Sequence, residues 1–238
     1  MRKRYLLFLA VVVSVLTPCA AFGMHIAEGF LPPKWCIFYY ALSAPFFIVG
    51  LRQINKKTKN NKDLKMLLAL VAAFCFIVSA LKLPSVSGSS SHATGTALGA
   101  IIFGPTATTV FATVVLLFQA LLLAHGGLTT LGANVFSMGI VGPLVSYFLY
   151  RVLKNKNKKV AIFLAACLGD LSTYFITSIQ MGLAHSGGNF IAAFTKFFAI
   201  FAVTQVPLAI IEGLVTVMLF EFIEKNSRKE LLALEEMN

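Results

Sequence analysis

The sequence predicts an all-α membrane protein, a single bundle of about seven transmembrane helices. Of its 238 residues, 58% are hydrophobic and only 12% are charged, and the mean hydropathy is +0.84. Soluble domains carry about 25% charged residues, so half of the usual solvating groups are missing. The apolar residues also form long stretches separated by short basic or glycine-containing segments. These observations exclude an ordinary soluble domain, a disordered chain and a disulfide-stabilised secreted module.

Residues 1–23 have the pattern of a secretory signal peptide, and residues 24–238 are predicted to form one transmembrane domain. Three basic residues at positions 2–4 precede a short apolar run, and small residues stand at Ala21 and Gly23. This arrangement is typical of cleavage before Met24. Cleavage there would give Met24 a free α-amine outside the cell. The alternatives are an uncleaved first helix and a lipoprotein cut before Cys19, against which Pro18 argues.

Seven apolar stretches follow the leader. The third is too short to cross about 30 Å of hydrocarbon at about 1.5 Å per helical residue. We expect it to span only with help from the Ser/Gly-rich segment before it. The seven stretches are Trp35–Gly50, Leu64–Leu81, Ala93–Phe103, Thr106–Ala124, Asn134–Tyr150, Val160–Ala184 and Phe197–Ile223.

The basic residues indicate the topology. The net charge of +11 does not suggest a nucleic-acid partner, because the Lys and Arg residues lie in short clusters between apolar stretches, where membrane lipid is the expected surrounding. With seven helices and Met24 outside, the three main clusters lie in the cytoplasm, as the positive-inside rule requires. They are Arg52, Lys56, Lys57, Lys59, Lys62 and Lys65; Arg151, Lys154, Lys156, Lys158 and Lys159; and Lys225, Arg228 and Lys229. The C-terminus is then cytoplasmic, and only Lys34, Lys82 and Lys196 remain on the outer side.

This topology places all four histidines, His25, His92, His125 and His185, on the outer side. A mature N-terminus at Met24 would offer three nitrogens close together: the α-amine, the His25 amide and the His25 imidazole. His92, in a polar segment between apolar stretches, is the best candidate for a fourth. Planar nitrogen sets suit Ni²⁺ and Cu²⁺, and Co²⁺ lies just below Ni²⁺ in the affinity order. The residues therefore suggest a metal site at Met24, His25 and His92, although an ordinary outer loop with an incidental histidine has the same pattern.

Three acidic residues have two interpretations each. Asp170 and Glu212 fall within apolar stretches, where acids are costly and face the bundle interior. They either belong to a functional site or make structural hydrogen bonds between helices. Glu28 is close enough in sequence to orient the His25 imidazole, or it is a plain acid at a helix start. The roles of His125 and His185 stay open between structural support and metal passage.

The chain contains no GxxxxGK[ST], HExxH or GxSxG motif. A nucleotide-hydrolysing P-loop and two common hydrolase signatures are therefore absent from the sequence. If this protein moves its substrate against a gradient, another subunit must supply the energy.

Five ordered blocks resemble the CbiM/NikM family, the substrate-capture components of energy-coupling-factor cobalt and nickel transporters. The resemblance covers nearly all of the mature chain, and the opening Glu-Gly-Phe-Leu-Pro-Pro is more like the cobalt branch. The blocks are Met24–Trp35, Ser91–Thr96, Leu117–Asn134, Gly169–Tyr174 and Thr204–Leu214. In the family, the metal ligands match Met24, His25 and His92 of this sequence.

The resemblance implies a multi-pass protein of the bacterial cell membrane that captures Co²⁺ outside for cobalamin biosynthesis, with Ni²⁺ as the alternative substrate. It implies a membrane-embedded coupling (T) subunit, cytoplasmic ATPase subunits and a small accessory membrane subunit as partners. On this interpretation the chain is a transport subunit and no enzyme. The rival classes are a stand-alone metal channel or permease and an intramembrane metalloenzyme that uses Asp170 or Glu212.

Overall fold

The structure is a computed structural model that describes residues 22–23, 25–59, 61–84 and 89–237. The predicted signal peptide up to residue 21, and Met24 with its proposed amine, lie outside the described residues. So does most of the Ser85–Ser91 segment.

The described residues form a membrane helical bundle, as predicted. Six of its helices, all except Thr96–Phe103 and Arg228–Met237, are long and apolar enough to cross a membrane. Three short strands adjoin the bundle: Ser89–Ser91 pairs in parallel with Phe22–Gly23 and antiparallel with Leu83–Pro84. The strands are β1 (Phe22–Gly23), β2 (Leu83–Pro84) and β3 (Ser89–Ser91). The helices are α1 (Pro33–Thr58), α2 (Lys62–Ala80), α3 (Thr96–Phe103), α4 (Pro105–Leu122), α5 (Leu131–Leu153), α6 (Lys158–Ala184), α7 (Phe190–Asn226) and α8 (Arg228–Met237).

Local sequence explains where the helices begin. Asn61, Asn157 and Asn189 precede α2, α6 and α7, and each side chain accepts a hydrogen bond from the backbone N–H three residues later. Such caps satisfy donors that the first helical turn leaves unpaired. Pro33 and Pro105 open α1 and α4, where a missing N–H costs nothing.

Helix α5 changes its winding in the middle. It is π-helical over Val135–Val141 and α-helical on both sides. The Thr109 hydroxyl of α4 donates a hydrogen bond to the Gly139 carbonyl at 2.8 Å. A hydroxyl from the neighbouring helix thus bonds a carbonyl where the regular ladder is altered.

The third apolar stretch does not form a membrane-spanning helix of its own. Helix α3 has eight residues, about 12 Å at ~1.5 Å per residue, and all of them are buried. The chain before it, from Ser91 to Gly95, is non-helical and also buried. Irregular backbone is tolerated at membrane depth when protein surrounds it. The expectation that this stretch spans the membrane with help from the Ser/Gly-rich segment stays a prediction, because most of that segment lies outside the described residues.

The bundle separates its histidines from its basic clusters. Helix α5 begins beside the His25 segment, where the Asn134 carboxamide oxygen accepts from the Ile26 N–H. It is 23 residues long and ends among basic residues. At about 1.5 Å per residue this is a separation of roughly 34 Å. Lys57, at the end of α1, donates to the carbonyl of Phe103 at the end of α3, so these ends also meet at the basic side. We call the two sides the histidine end and the basic end.

Candidate metal centre

Three histidines from separate parts of the chain converge at the histidine end. His25 lies before α1, His92 lies between β3 and α3, and His125 follows α4. Their ring centroids are 4.6–4.9 Å apart, and one potential ligand nitrogen from each lies within 4.8 Å of the others. All three side chains are buried, with exposures of 0–4%. Imidazole nitrogens at this spacing can converge on one transition-metal ion.

The His25 ring is oriented by a hydrogen-bonded chain. Its Nε2 lies 3.0 Å from the Gln119 carboxamide oxygen, and the Gln119 amide donates to the Ser79 hydroxyl at 2.6 Å. Because Gln119 accepts at Nε2, that atom carries the proton and Nδ1 is left as the lone-pair nitrogen. Nδ1 is the ring nitrogen that can close a chelate ring with the backbone nitrogen of the same residue.

His92 is oriented by its own backbone. Its Nδ1 lies 2.9 Å from the Ala93 carbonyl, which makes Nδ1 the donor and leaves the lone pair on Nε2. Among the described residues, neither Nε2 of His92 nor Nε2 of His125 has a hydrogen-bond partner, although both atoms are buried. Unpaired buried nitrogens are costly unless something outside the chain binds them. These two atoms are therefore prepared to accept a ligand.

The three imidazoles are held neutral. Burial, and secondarily the proximity of His125 and His92, lowers the pKa of His25 well below its usual range. Burial lowers the pKa of His92 to about 4 and, together with the proximity of His92, lowers that of His125 to about 2. Neutral imidazole is the form that coordinates metals. The site therefore does not have to lose imidazole protons to the solvent before it binds a cation.

The backbone of the His92 segment is fixed by side chains of α6 and α7. The Tyr174 hydroxyl donates to the His92 carbonyl at 2.7 Å, and the Gln205 amide bridges that carbonyl, at 3.3 Å, and Asp170 Oδ2, at 2.5 Å. The Glu212 carboxylate accepts from the Thr94 N–H, the Thr94 hydroxyl and the Gly95 N–H at 2.6, 2.9 and 2.9 Å. Asp170 and Glu212 thus hold the segment that carries His92, and they act through it rather than on the histidine rings.

Two glycines let the His25 segment approach the loop after α4. Gly126 has a φ of +81°, which favours glycine, and a Cβ there would lie 3.3 Å from the Cβ of His25. A Cβ on Gly127 would lie 2.6 Å from the backbone of Glu28, closer than real side chains approach. The Gly126-Gly127 pair is therefore needed for close backbone contact as well as for the turn.

The backbone of Ile26 is held at three points beside this turn. The Ile26 N–H donates to Asn134 Oδ1, and the Ile26 carbonyl accepts from Asn134 Nδ2 at 3.1 Å and from the Thr130 hydroxyl at 2.6 Å. Residue 25, one position earlier, is thereby fixed relative to α5.

The structure confirms the proximity of some of the predicted metal-site residues and does not describe others. The structure brings His25 and His92 together, and Met24 is the chain neighbour of His25 but is not among the described residues. His125, whose role the sequence left open, joins the cluster. The signal that could have identified it was its place before Gly126-Gly127, six residues after Gln119 in one of the blocks of the resemblance.

Two other candidates lie apart from the cluster. The Nδ1 atom of His185 lies 3.3 Å from the Met181 carbonyl oxygen. The His185 ring packs on the Phe30 ring, with 5.6 Å between the ring centroids. The Glu28 carboxylate accepts from the N–H and the hydroxyl of Thr129, and this lowers the pKa of Glu28. The suggestion that Glu28 orients the His25 imidazole was therefore wrong: the acceptor at that ring is Gln119.

Solved structures with the same fold define the class of this protein. A crystal structure of a transition metal transporter matches with a TM-score of 0.74 and 27% identity, covering 88% of this chain and 96% of that one. The structure of a truncated transition metal transporter matches with the same TM-score and 26% identity, covering 85% of this chain and 99% of that one. The protein is a multi-pass membrane protein with a transition-metal-transporter fold.

The family follows from sequence comparison. Residues 25–230 match the CbiM model, the cobalt uptake substrate-specific transmembrane region. The cobalt transport protein CbiM of Clostridium tetani is 58% identical over 233 residues, which cover 97% of each chain. That of Thermosipho melanesiensis is 59% identical over 230 residues, covering 96% of this chain and 97% of the relative. The chain belongs to the CbiM family and is a membrane component of cobalt uptake, located in the bacterial cell membrane.

Proposed function

We propose that this chain captures Co²⁺ at the outer face of the membrane as the substrate-binding component of an ATP-driven energy-coupling-factor importer that supplies cobalamin biosynthesis. The proposed ligands are the Met24 α-amine, the amide and Nδ1 nitrogens of His25, and Nε2 of His92. The observation that supports this most directly is the convergence of buried, neutral imidazoles beside residue 24.

The chemistry of the first two residues favours chelation. The α-amine and the next amide nitrogen close a five-membered ring on a metal, and that amide with Nδ1 of the same histidine closes a six-membered ring. The Gln119 contact at Nε2 supports this assignment, because it leaves Nδ1 for the metal. His92 Nε2 would complete a four-nitrogen set.

His125 adds a further nitrogen to the proposed site. Four nitrogens in a plane satisfy Ni²⁺, the alternative substrate, whereas square-planar coordination is not typical of Co²⁺. We assign Nε2 of His125 as an additional ligand that favours Co²⁺. Removing it should weaken Co²⁺ binding more than Ni²⁺ binding.

The proposed orientation follows from the charge distribution. The end that carries the basic loops is assigned to the cytoplasm by the positive-inside rule, and the histidine end then faces outward. Because the sequence has no P-loop, ATP hydrolysis is assigned to cytoplasmic ATPase subunits. A membrane-embedded coupling subunit and a small accessory membrane subunit would complete the assembly.

Calorimetric titration of the purified chain with Co²⁺ and Ni²⁺ tests the site. Before titration, intact mass and N-terminal sequencing must establish that the purified protein begins at Met24. His92→Ala should reduce Co²⁺ affinity by more than about 100-fold, because it removes a ligand from a chelate. His185→Ala is the matched control, since it removes an imidazole outside the cluster, and it should bind like the unmodified protein. Unchanged affinity in His92→Ala would refute the site.

Reconstituted vesicles test the transport assignment. The chain alone should bind Co²⁺ without carrying it inward, and uptake should require the partner subunits and ATP. Sustained cobalt flux through the chain alone would identify a stand-alone permease instead.

A further inference from the structure

A cavity of about 360 Å³ lies at the basic end of the bundle, far from the histidines. It is bordered by the ends of α3, α5, α6 and α7, and α8 covers it. Ile101, Ile102 and Phe220 contribute apolar surface, as do two leucines of α8, while two tyrosines and six charged side chains line the rest. The cavity therefore combines an apolar part within the bundle and a polar part at the membrane boundary.

The polar wall has excess positive charge. Four basic residues face two acidic ones, and one basic residue, Lys158, is neutralised by Glu224 at 2.6 Å. Lys154 and Arg228 have no ion-pair partner among the described residues. Arg151 packs over the Tyr147 ring and donates to its hydroxyl at 2.9 Å, which holds its guanidinium at the wall. The cavity is suited to an anion with several acceptor oxygens.

We propose that this cavity binds a phosphate group, carried by an anionic phospholipid headgroup or present as free phosphate. Basic pockets between transmembrane helices on the cytoplasmic side bind lipid headgroups in this way. The apolar surface of Ile101, Ile102 and Phe220 would accommodate the glycerol and first acyl carbons of a lipid, whereas free phosphate would use the cations alone. Only the assignment to the cytoplasmic leaflet rests on the orientation proposed above.

Helix α8 both lines the cavity and packs against the bundle. Its residue Leu234 is 1% exposed in the core between α8 and the bundle, while Arg228 and Glu235 of the same helix line the cavity. A phosphate held between Lys154 of the α5–α6 connection and Arg228 would connect α8 to the bundle. Binding should therefore stabilise the docked position of α8.

A paired charge-removal experiment tests the proposal. Full-length mature protein in neutral detergent is titrated with short-chain phosphatidylglycerol, phosphatidylcholine or inorganic phosphate. Binding is followed by native mass spectrometry and thermal denaturation. The variant Lys154→Gln/Arg228→Gln removes the two unpaired cations of the cavity. The control Lys156→Gln/Lys229→Gln removes the same charge from neighbouring residues that do not line it. Co²⁺ titration at the opposite end verifies that each variant is folded.

Phosphatidylglycerol should bind and protect the unmodified protein, and the cavity variant should bind it about thirtyfold more weakly, because each basic residue contributes about 1 kcal/mol to anionic-lipid attraction. The control should remain within about twofold. If inorganic phosphate protects with the same dependence on Lys154 and Arg228, the site is supported with free phosphate as the ligand. Equal losses in both variants, or equal protection by phosphatidylcholine, would overturn the proposal.

Discussion

The two ends of the bundle differ in how far their acidic side chains are buried and hydrogen-bonded. Around the three clustered histidines the polar side chains are buried and fixed: Glu212 is 1% exposed and accepts three hydrogen bonds from the segment after His92. At the basic end the ion pairs are partly exposed, and Glu221, on the same helix, pairs with Lys159 in contact with solvent. A buried carboxylate must be satisfied in fixed geometry, whereas an exposed pair contributes little to stability.

This contrast indicates how the helix bundle holds the candidate metal site in a fixed geometry although none of its three histidines lies on a helix. His25, His92 and His125 all lie on non-helical segments. Side chains of α4–α7 hold the His25 and His92 segments by hydrogen bonds, and the His125 N–H donates to the Gln119 carbonyl of α4. Ligands on irregular backbone require such support, because small displacements lower metal affinity. Among the described residues, the basic end has no comparable hydrogen-bond network around a histidine cluster, so charge changes there should leave metal binding intact.

The largest effect is expected for Gly127→Ala. The added Cβ would overlap the backbone of Glu28, so the His25 segment must move away from the loop that carries His125. Overpacking costs about 1–3 kcal/mol of stability, and the displacement should abolish measurable Co²⁺ binding in calorimetry. Gly139→Ala is the control, since a Cβ there meets its neighbours at an ordinary 3.4 Å or more. Normal binding by Gly127→Ala would show that the close approach is unnecessary.

Glu212→Gln, compared with Glu221→Gln on the same helix α7, tests the contrast between the buried and the exposed acidic residue. An amide keeps the size but presents a donor to the Thr94 and Gly95 N–H groups, so at least one of these buried donors loses its acceptor. Leaving a buried donor unpaired costs about 1–3 kcal/mol, so Co²⁺ affinity should fall by up to roughly 100-fold. Glu221→Gln, at the basic end, should change the affinity less than twofold. Similar titration curves for the two variants would remove the distinction between the ends.

The sequence predicted the bundle because its composition and charge clusters follow directly from the chemistry of the lipid bilayer. It also selected His25 and His92 as candidate ligands, because one follows the expected N-terminus and the other interrupts apolar sequence with polar residues, and the structure brings these two histidines together. His125 was not assigned because its role depends on the loop after α4 folding back to His25. That arrangement depends on tertiary contacts such as Asn134 with Ile26, which no local pattern encodes.

The partners of the acidic residues were also beyond local inference. Sequence reasoning placed Asp170 and Glu212 inside the membrane and kept a structural role open, which matches their contacts with Gln205 and the Thr94 segment. It could not identify Gln119 as the acceptor for His25, because these residues are 94 positions apart. Glu28 was the nearer acidic residue in sequence, and its carboxylate is bound to Thr129 instead.

Gln119→Leu should have an intermediate effect. The substitution removes the acceptor at His25 Nε2 while keeping a similar side-chain length, so the ring loses its fixed orientation and tautomer. Outer-shell changes of this kind lower metal affinity about tenfold or more. Gln53→Leu is the matched control at the basic end, where Gln53 accepts from the Thr106 hydroxyl at 2.6 Å. Calorimetry should show weaker Co²⁺ binding only for Gln119→Leu, and a loss of equal size in Gln53→Leu would indicate a general packing defect.

The smallest effect, and the only gain, is expected for Lys82→Gln. Lys82 is the exposed cation of the histidine end whose charge contributes to lowering the pKa of all three clustered histidines. The same field disfavours an approaching divalent cation, so removing the charge should raise the Co²⁺ association rate about two- to threefold in stopped-flow measurements at low ionic strength. Lys196→Gln, at another exposed lysine on the outer side that does not contribute to lowering these pKa values, should leave the rate unchanged. The gain should disappear near 0.5 M salt, because screening is then effective over about 4–5 Å. A gain that persists at high salt would mean that Lys82 acts by steric obstruction, through its contact with the Leu123 carbonyl, rather than by charge.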